Sequence, residues 1–199
     1  MVERVVSAID ELSTMVGRAF AWCIIILTFG TSYEVFVRYA LNDPTSWAYD
    51  MSYLMYGALF FMAGAYTLSR NAHVRGDFIY RSWRPRTQAA VDLAMYLLFF
   101  FPGVVALVYA GWGYGHDAFR IGEVSVNSPV GIPVWQLKLL IPAGAALLAL
   151  QGSAEVLRCA LCLRDGAWPP RPQDVEELER VFIEQHSQDE ASAVTARSP

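Results

Sequence analysis

Residues 34–77 read EVFVRYALNDPTSWAYD, then MSYLMYGALFFMAGAYTLS, then RNAHVRGD: a polar helix end and tight turn, an apolar run, and a basic loop. Met51 to Ser69 carries no charge, and charged residues stand only at its two borders, where a lipid-embedded helix meets water. The Asp43-Pro44 pair predicts a helix start, because Asp caps free amides and Pro tolerates the first helical position. A helix over about 44–70 follows.

The same pattern recurs outward from this stretch. Ala19 to Tyr33 is uncharged, and with Arg18 snorkelling at one end and Glu34 to Arg38 at the other it is long enough to cross a bilayer as a helix over about 16–40. Before it, Val2, Val5, Val6, Ile9, Leu12 and Val16 fall at helical spacing, with Glu3, Arg4, Asp10 and Glu11 on the other side. That spacing predicts an amphipathic lead-in on the membrane surface or against a neighbour. Leu93 to Gly115 gives a third crossing, about 87–116, with Pro102-Gly103 predicting a kink near its middle. Leu139 to Ala154 gives a fourth, about 134–160.

The expected fold is therefore all-α, with four transmembrane helices in a membrane domain over 1–164. Phe78, Ile79, Tyr80 and Trp83 predict a short interfacial segment between helices two and three. After Arg164 the composition changes, and Trp168 to Pro172 reads as a stiff linker into an acidic tail, 165–199. Residues 173–186 can form a short amphipathic helix there.

Composition agrees: 55% of the 199 residues are hydrophobic and the mean hydropathy is +0.31, high for a water-soluble domain of this size. The net charge of -4 comes from the tail, since residues 1–163 hold 11 basic and 11 acidic side chains and 164–199 hold 4 and 8. A nucleic-acid arm is excluded. All six tryptophans lie at or just beyond the ends of the expected spans, as an aromatic belt requires. Arg70, Arg75, Arg81, Arg84 and Arg86 crowd the second connection, against Arg38 in the first and Arg120 and Lys138 in the third. By the positive-inside rule that connection, and both termini, are expected in the cytoplasm, with the arginines against lipid headgroups.

Little here describes chemistry. Glu34, Arg38, Asp50, Asp92, Lys138 and Glu155 all fall within a few turns of a helix end, within expected reach of water or headgroups, so no ion path through the chain is expected. Glu34 and Arg38 stand i,i+4 as an interfacial ion pair or a partner contact. Asp50 lies at the positive end of the second helix, where a carboxylate is stabilised, and a partner contact is the other reading. His73 reads as a loop histidine bonded to backbone or to Asp77, because a membrane haem needs facing histidine pairs. Cys159-x-x-Cys162 ends an apolar helix without a second pair, which favours packing over metal or redox work. No cofactor, metal site or catalytic set is expected.

Arg38-Tyr39, Pro44-x-x-Trp47-x-x-Asp50, His73-x-x-x-Asp77, Ile132-Pro133-x-Trp135 and Ile141-Pro142 occur in order across about residues 15–160. Together they resemble the small membrane subunit, DctQ type, of a tripartite ATP-independent periplasmic (TRAP) transporter. Asp50 departs from the family's usual Glu, shortening the reach of the charge. The resemblance implies a multi-pass protein of the bacterial inner membrane, a non-catalytic subunit in a sodium-driven uptake system for a small organic acid. It implies two partners, a large multi-helix permease subunit that carries the transport site and a periplasmic substrate-binding protein. Glu34, Arg38, Trp47, Asp50, His73, Asp77 and Trp135 are then expected at partner or membrane-interface contacts. The alternative is an independent tetraspan protein that self-assembles as a channel or exporter. Gly57, Ala58, Gly64, Ala65, Gly144, Ala145 and Ala146 suit close helix approach, within the bundle or toward a partner.

Orientation has a direct test. A cysteine placed at Phe78 is expected to react with an impermeant thiol reagent only from the cytoplasmic side; labelling from the periplasm would invert the topology.

Overall fold

A computed structural model describes residues 2–72, 80, 82–169, 182–183 and 185–187. The chain forms α1 (Val2–Ala40), α2 (Ala48–Ser69), α3 (Pro85–Met95), a π-helical turn (Tyr96–Phe100), α4 (Phe101–Ile121) and α5 (Trp135–Asp165). Residues 85–121 form one continuous rod, so four helices are long and apolar enough to cross a membrane. Among the described residues there is no strand, only an isolated bridge between Val124 and Pro133.

Three boundaries differ from expectation for physical reasons. The lead-in is not a separate element: α1 runs unbroken for 39 residues because no Gly-Pro or turn signal interrupts it. Its burial is mixed: Val6 is buried and Glu3, Arg4 and Glu11 are exposed, but Val2, Val5 and Leu12 are exposed while Asp10 and Ser13 are buried. Asp43-Pro44 does not start α2. The chain reverses at Asn42 in the left-handed region (φ 54°), and the helix begins at Ala48 after Trp47 without a side-chain cap. In the rod, the expected irregularity at Pro102-Gly103 takes the form of the π turn just before it, which accommodates a residue lacking an amide hydrogen.

Helix α5 joins the two halves. α1 and α2 form an antiparallel pair, with Thr31 Oγ1 and Ser52 Oγ 3.2 Å apart near one end and Arg70 Nη2 donating to Thr14 Oγ1 at 3.4 Å at the other. Both pack against α5, and the rod packs along α5 as well. In its most apolar stretch α5 has 39% of its residues buried, against 11% to 17% for the other spans. The packing depends on small residues. A Cβ on Gly144 would lie 2.6 Å from the carbonyl oxygen of Phe61, and one on Gly57 would lie 2.5 Å from Leu137. Ala58, Ala65 and Ala145 are buried, whereas Ala146 faces outward and Gly64 has slack. Most of the predicted small residues thus serve packing within the chain.

Register fixes relative depth. Gly57 opposite Leu137 and Gly64 opposite Leu148 show α2 and α5 running parallel, so α2 ends near the level of Ser153. At 1.5 Å per residue, the 22 residues of α2 span about 33 Å, close to the thickness of the hydrocarbon core. The first dozen residues of α1, all of α3 and the last dozen of α5 therefore extend past α2 at the arginine-rich end. There Leu68, Ala89, Tyr96, Cys159 and Cys162 form a buried cluster. Both C-x-x-C thiols pack, and Cys162 Sγ lies 3.6 Å from the Pro85 carbonyl oxygen.

Gly144→Ala is expected to destabilise the fold by about 1–3 kcal/mol, because the new methyl meets backbone rather than a movable side chain. Gly103→Ala, with open space around it, should leave stability unchanged. A thiol-reactive dye that reports the unburying of Cys159 and Cys162 on heating in detergent would measure both.

Candidate functional site

At the end away from the arginines, two carboxylates hold the connections in place. Glu34 is buried near the end of α1 and pairs through Oε1 with Arg38 Nη2. Its Oε2 accepts from the Thr45 amide at 3.0 Å and from the Thr45 hydroxyl. One side chain thus ties α1 to the 41–47 connection, while the half-exposed Arg38 faces outward. Trp47 stacks on Tyr33, ring centroids 6.4 Å apart, closing the same corner.

Asp50 does the equivalent for the connection between α4 and α5. It is 3% exposed, and its Oδ1 accepts from Ser125 Oγ at 2.6 Å. Ser125 Oγ also accepts from the Asn127 amide, and the Ser125 amide donates to the Ile132 carbonyl. Asp50 Oδ2 is buried with no hydrogen-bond partner among the described residues. Glu123 pairs with Lys138 at 2.6 Å, whose ammonium lies 3.9 Å from the Tyr114 ring centroid. Trp135 meets Phe119 edge to face at 5.1 Å. Glu34, Arg38, Trp47, Asp50 and Trp135 therefore share one end of the molecule, spread over two connections rather than converging on a pocket. His116, on the same end, stacks on Trp112 and lies 3.8 Å from Asp117.

At the arginine end, Arg70 lies over Tyr66 and donates to Thr14. Arg84 precedes α3 and is exposed, and Arg86 is exposed beside Gly166. Tyr80 donates from its hydroxyl to Asp92 at 2.7 Å and accepts from Gln88 through its carbonyl, docking the connection on α3. His73, Arg75, Asp77, Phe78, Ile79 and Arg81 lie outside the described residues, as does most of the tail, including 173–181 and 184.

The largest polar feature is one that sequence reasoning missed. Arg158 on α5 sits between Glu155, one turn before it, and Asp10 on α1, making ion pairs with both. Gln151 Nε2 donates to Asp10 Oδ1 at 2.9 Å, and Ser13 Oγ donates to Gln151 Oε1 at 2.8 Å. Ser13, Gln151, Glu155 and Arg158 are at most 1% exposed and Asp10 is 4% exposed, so Glu155 is out of reach of the water expected around it. Spacing carried the signal: Asp10, Ser13 and Gly17 share one face of α1, and Gln151, Glu155 and Arg158 share one face of α5. Both α1 and α5 reach past the end of α2 here, which puts the cluster at the edge of the hydrocarbon and not in its middle.

Among the described residues no group of three or more His, Cys, Asp or Glu side chains could hold a metal ion. The polar groups bridge elements of the chain to one another.

Compared with known families, residues 27–162 match the DctQ component of the tripartite ATP-independent periplasmic transporters. The match runs from the middle of α1 nearly to the end of α5. No curated protein matches the chain.

Arg158→Leu is expected to cost about 3–5 kcal/mol, because it leaves two buried carboxylates without a cation. Replacing Asp10, Glu155 and Arg158 together by leucine should cost much less. Thermal unfolding in detergent compares the two; equal losses would mean that packing and not charge governs this cluster.

Proposed function

The chain belongs to the DctQ family of tripartite ATP-independent periplasmic transporters, and from that premise we propose that it is the non-catalytic scaffold for a large permease subunit. The family is a transporter component that works with a large permease and a periplasmic binding protein. Four apolar helices agree with a multi-pass protein of the inner membrane. In this reading the substrate, a small organic acid, and the sodium gradient that drives its uptake are handled by the large subunit. Both termini lie in the cytoplasm, following the arginine bias.

The observation that carries the scaffold role is the way this chain spends its polar groups. Glu34, Asp50, Glu123 and the Asp10–Arg158–Glu155 cluster are each engaged in holding one helix or connection to another. Ala19 to Tyr33, Met51 to Ser69, Leu93 to Gly115 and Leu139 to Ala154 carry no charge that could serve a coupling ion. What remains outward is apolar: Trp22, Phe29, Phe36, Phe60, Leu98, Phe99 and Tyr109 are all more than half exposed. A layer joined through one central helix and apolar on its outer faces suits a static support, against which a mobile transport element moves. Arg38 and Trp47 at one end, and Arg84 and Arg86 at the other, are the exposed candidates for partner and headgroup contacts.

The test is recovery from native membranes in mild detergent. Co-purification of a large multi-helix permease, with uptake by reconstituted vesicles only when both subunits and the binding protein are present, is the expected result. Recovery of a homo-oligomer alone, or uptake by this chain without partners, would overturn it.

A further inference from the structure

Where α1 passes the end of α2, an open cavity of about 470 Å³ is lined by Ser7, Asp10, Glu11, Thr14, Met15 and Arg18 of α1 and by Arg70, which follows α2. From this cavity we propose a bound phospholipid headgroup, a phosphodiester bearing a primary ammonium, held at the arginine end between α1 and α2.

Depth is the first argument. Arg70 follows the last residue of α2 and Thr14 is bonded to it, so both lie where α2 leaves the hydrocarbon. Arg18, one turn deeper on the same face of α1, has a side chain long enough to snorkel to that level. Arg18 then brings a guanidinium to the level of Arg70 and the Thr14 hydroxyl, at the depth of lipid phosphates, and guanidinium binds phosphate through paired charge-assisted bonds.

The order of charges along α1 is the second argument. Glu11 lies one turn outward of Thr14, and is exposed with no ion pair among the described residues. It stands where an ammonium would project beyond its phosphate. Both oxygens of Asp10 are already bonded, to Arg158 and Gln151, so Glu11 is the carboxylate open to a ligand. Between Thr14 and Arg18, Met15 is 63% exposed and gives the cavity its one apolar side chain. A free phosphate would use the arginines but leave Glu11 repelling it.

This inference stands apart from the transporter role, and its test does not measure transport. The full chain is solubilised with whatever accompanies it, delipidated, and titrated with dioleoylphosphatidylethanolamine or dioleoylphosphatidylglycerol under native mass spectrometry. The expected result is one tightly held phosphatidylethanolamine, weakened about tenfold in Arg18→Gln, the factor for losing one charge-assisted bond. Arg120→Gln, at the other end of the molecule, should leave it unchanged. Glu11→Gln should abolish the preference for phosphatidylethanolamine over phosphatidylglycerol. Arg18 is exposed and carries no packing, so its replacement is expected to fold; a melting temperature equal to wild type verifies this. Adducts unaffected by Arg18→Gln, or displaced by millimolar inorganic phosphate, would overturn the proposal.

Discussion

Lipid tails are as apolar as leucine, so nothing like the hydrophobic effect drives one of these helices against another. Contact must come from close approach and from polar bonds, and α5 supplies both. Gly144 lets the Phe61 carbonyl come within reach of the α5 backbone, Gly152 receives the Phe100 ring, and Gly111 on α4 receives Pro142. Each is a place where one side chain fewer lets a neighbouring helix come close. Without α5, the α1–α2 pair and the rod share little, so the architecture is two helical units mounted on a common strut.

The Asp10–Arg158–Glu155 cluster works on the same strut by a different force. A buried ion pair is a poor source of net stability, because desolvation offsets most of the Coulomb attraction. It is a source of specificity, since any slip of α1 along α5 would part Asp10 from Arg158 and Gln151 and leave a buried carboxylate unpaired, while Arg158 keeps Glu155 on its own helix. Its position explains how the chain tolerates it. One turn past the end of α2, the groups lie near the membrane surface, where the cost of desolvation is smaller than at mid-bilayer. Gly144 and Gly57 set how near the helices come; the charged cluster sets how far along one another they lie.

Much of this was legible in the sequence, and the parts that were not share a cause. Uncharged runs and border charges located four spans, because the bilayer constrains each helix by itself. Glu34 and Arg38 were readable as a pair because they are four residues apart on one helix. Asp50–Ser125 and Asp10–Arg158 were not, since their partners are 75 and 148 residues away and only the packing of helices creates them. The lead-in was misread for the same reason. Its apolar residues were read as one stripe for the membrane surface or a neighbour, and the burial of Asp10 and Ser13 against α5 was not foreseen. The start of α2 failed more locally: Glu34 takes the Thr45 amide, so the turn is capped by the preceding helix and Asp43 is left without that task.

The two ends differ in a way that bears on how such a layer could support a moving partner. At the far end Glu34 and Asp50 each fasten a connection to a helix, so both connections are fixed to the ends of rigid elements. At the arginine end Arg158 fastens α5 to the part of α1 that outreaches α2, and Arg70 fastens the end of α2 to Thr14 of α1. The buried, unpartnered Oδ2 of Asp50 fits this scheme: the carboxylate accepts a desolvation cost in order to hold Ser125. Glutamate, longer by one methylene, would have to fold back to make the same bond. The short side chain and the close seat of the 122–134 connection on α2 are thus a matched pair, which gives a physical reason for aspartate at this position.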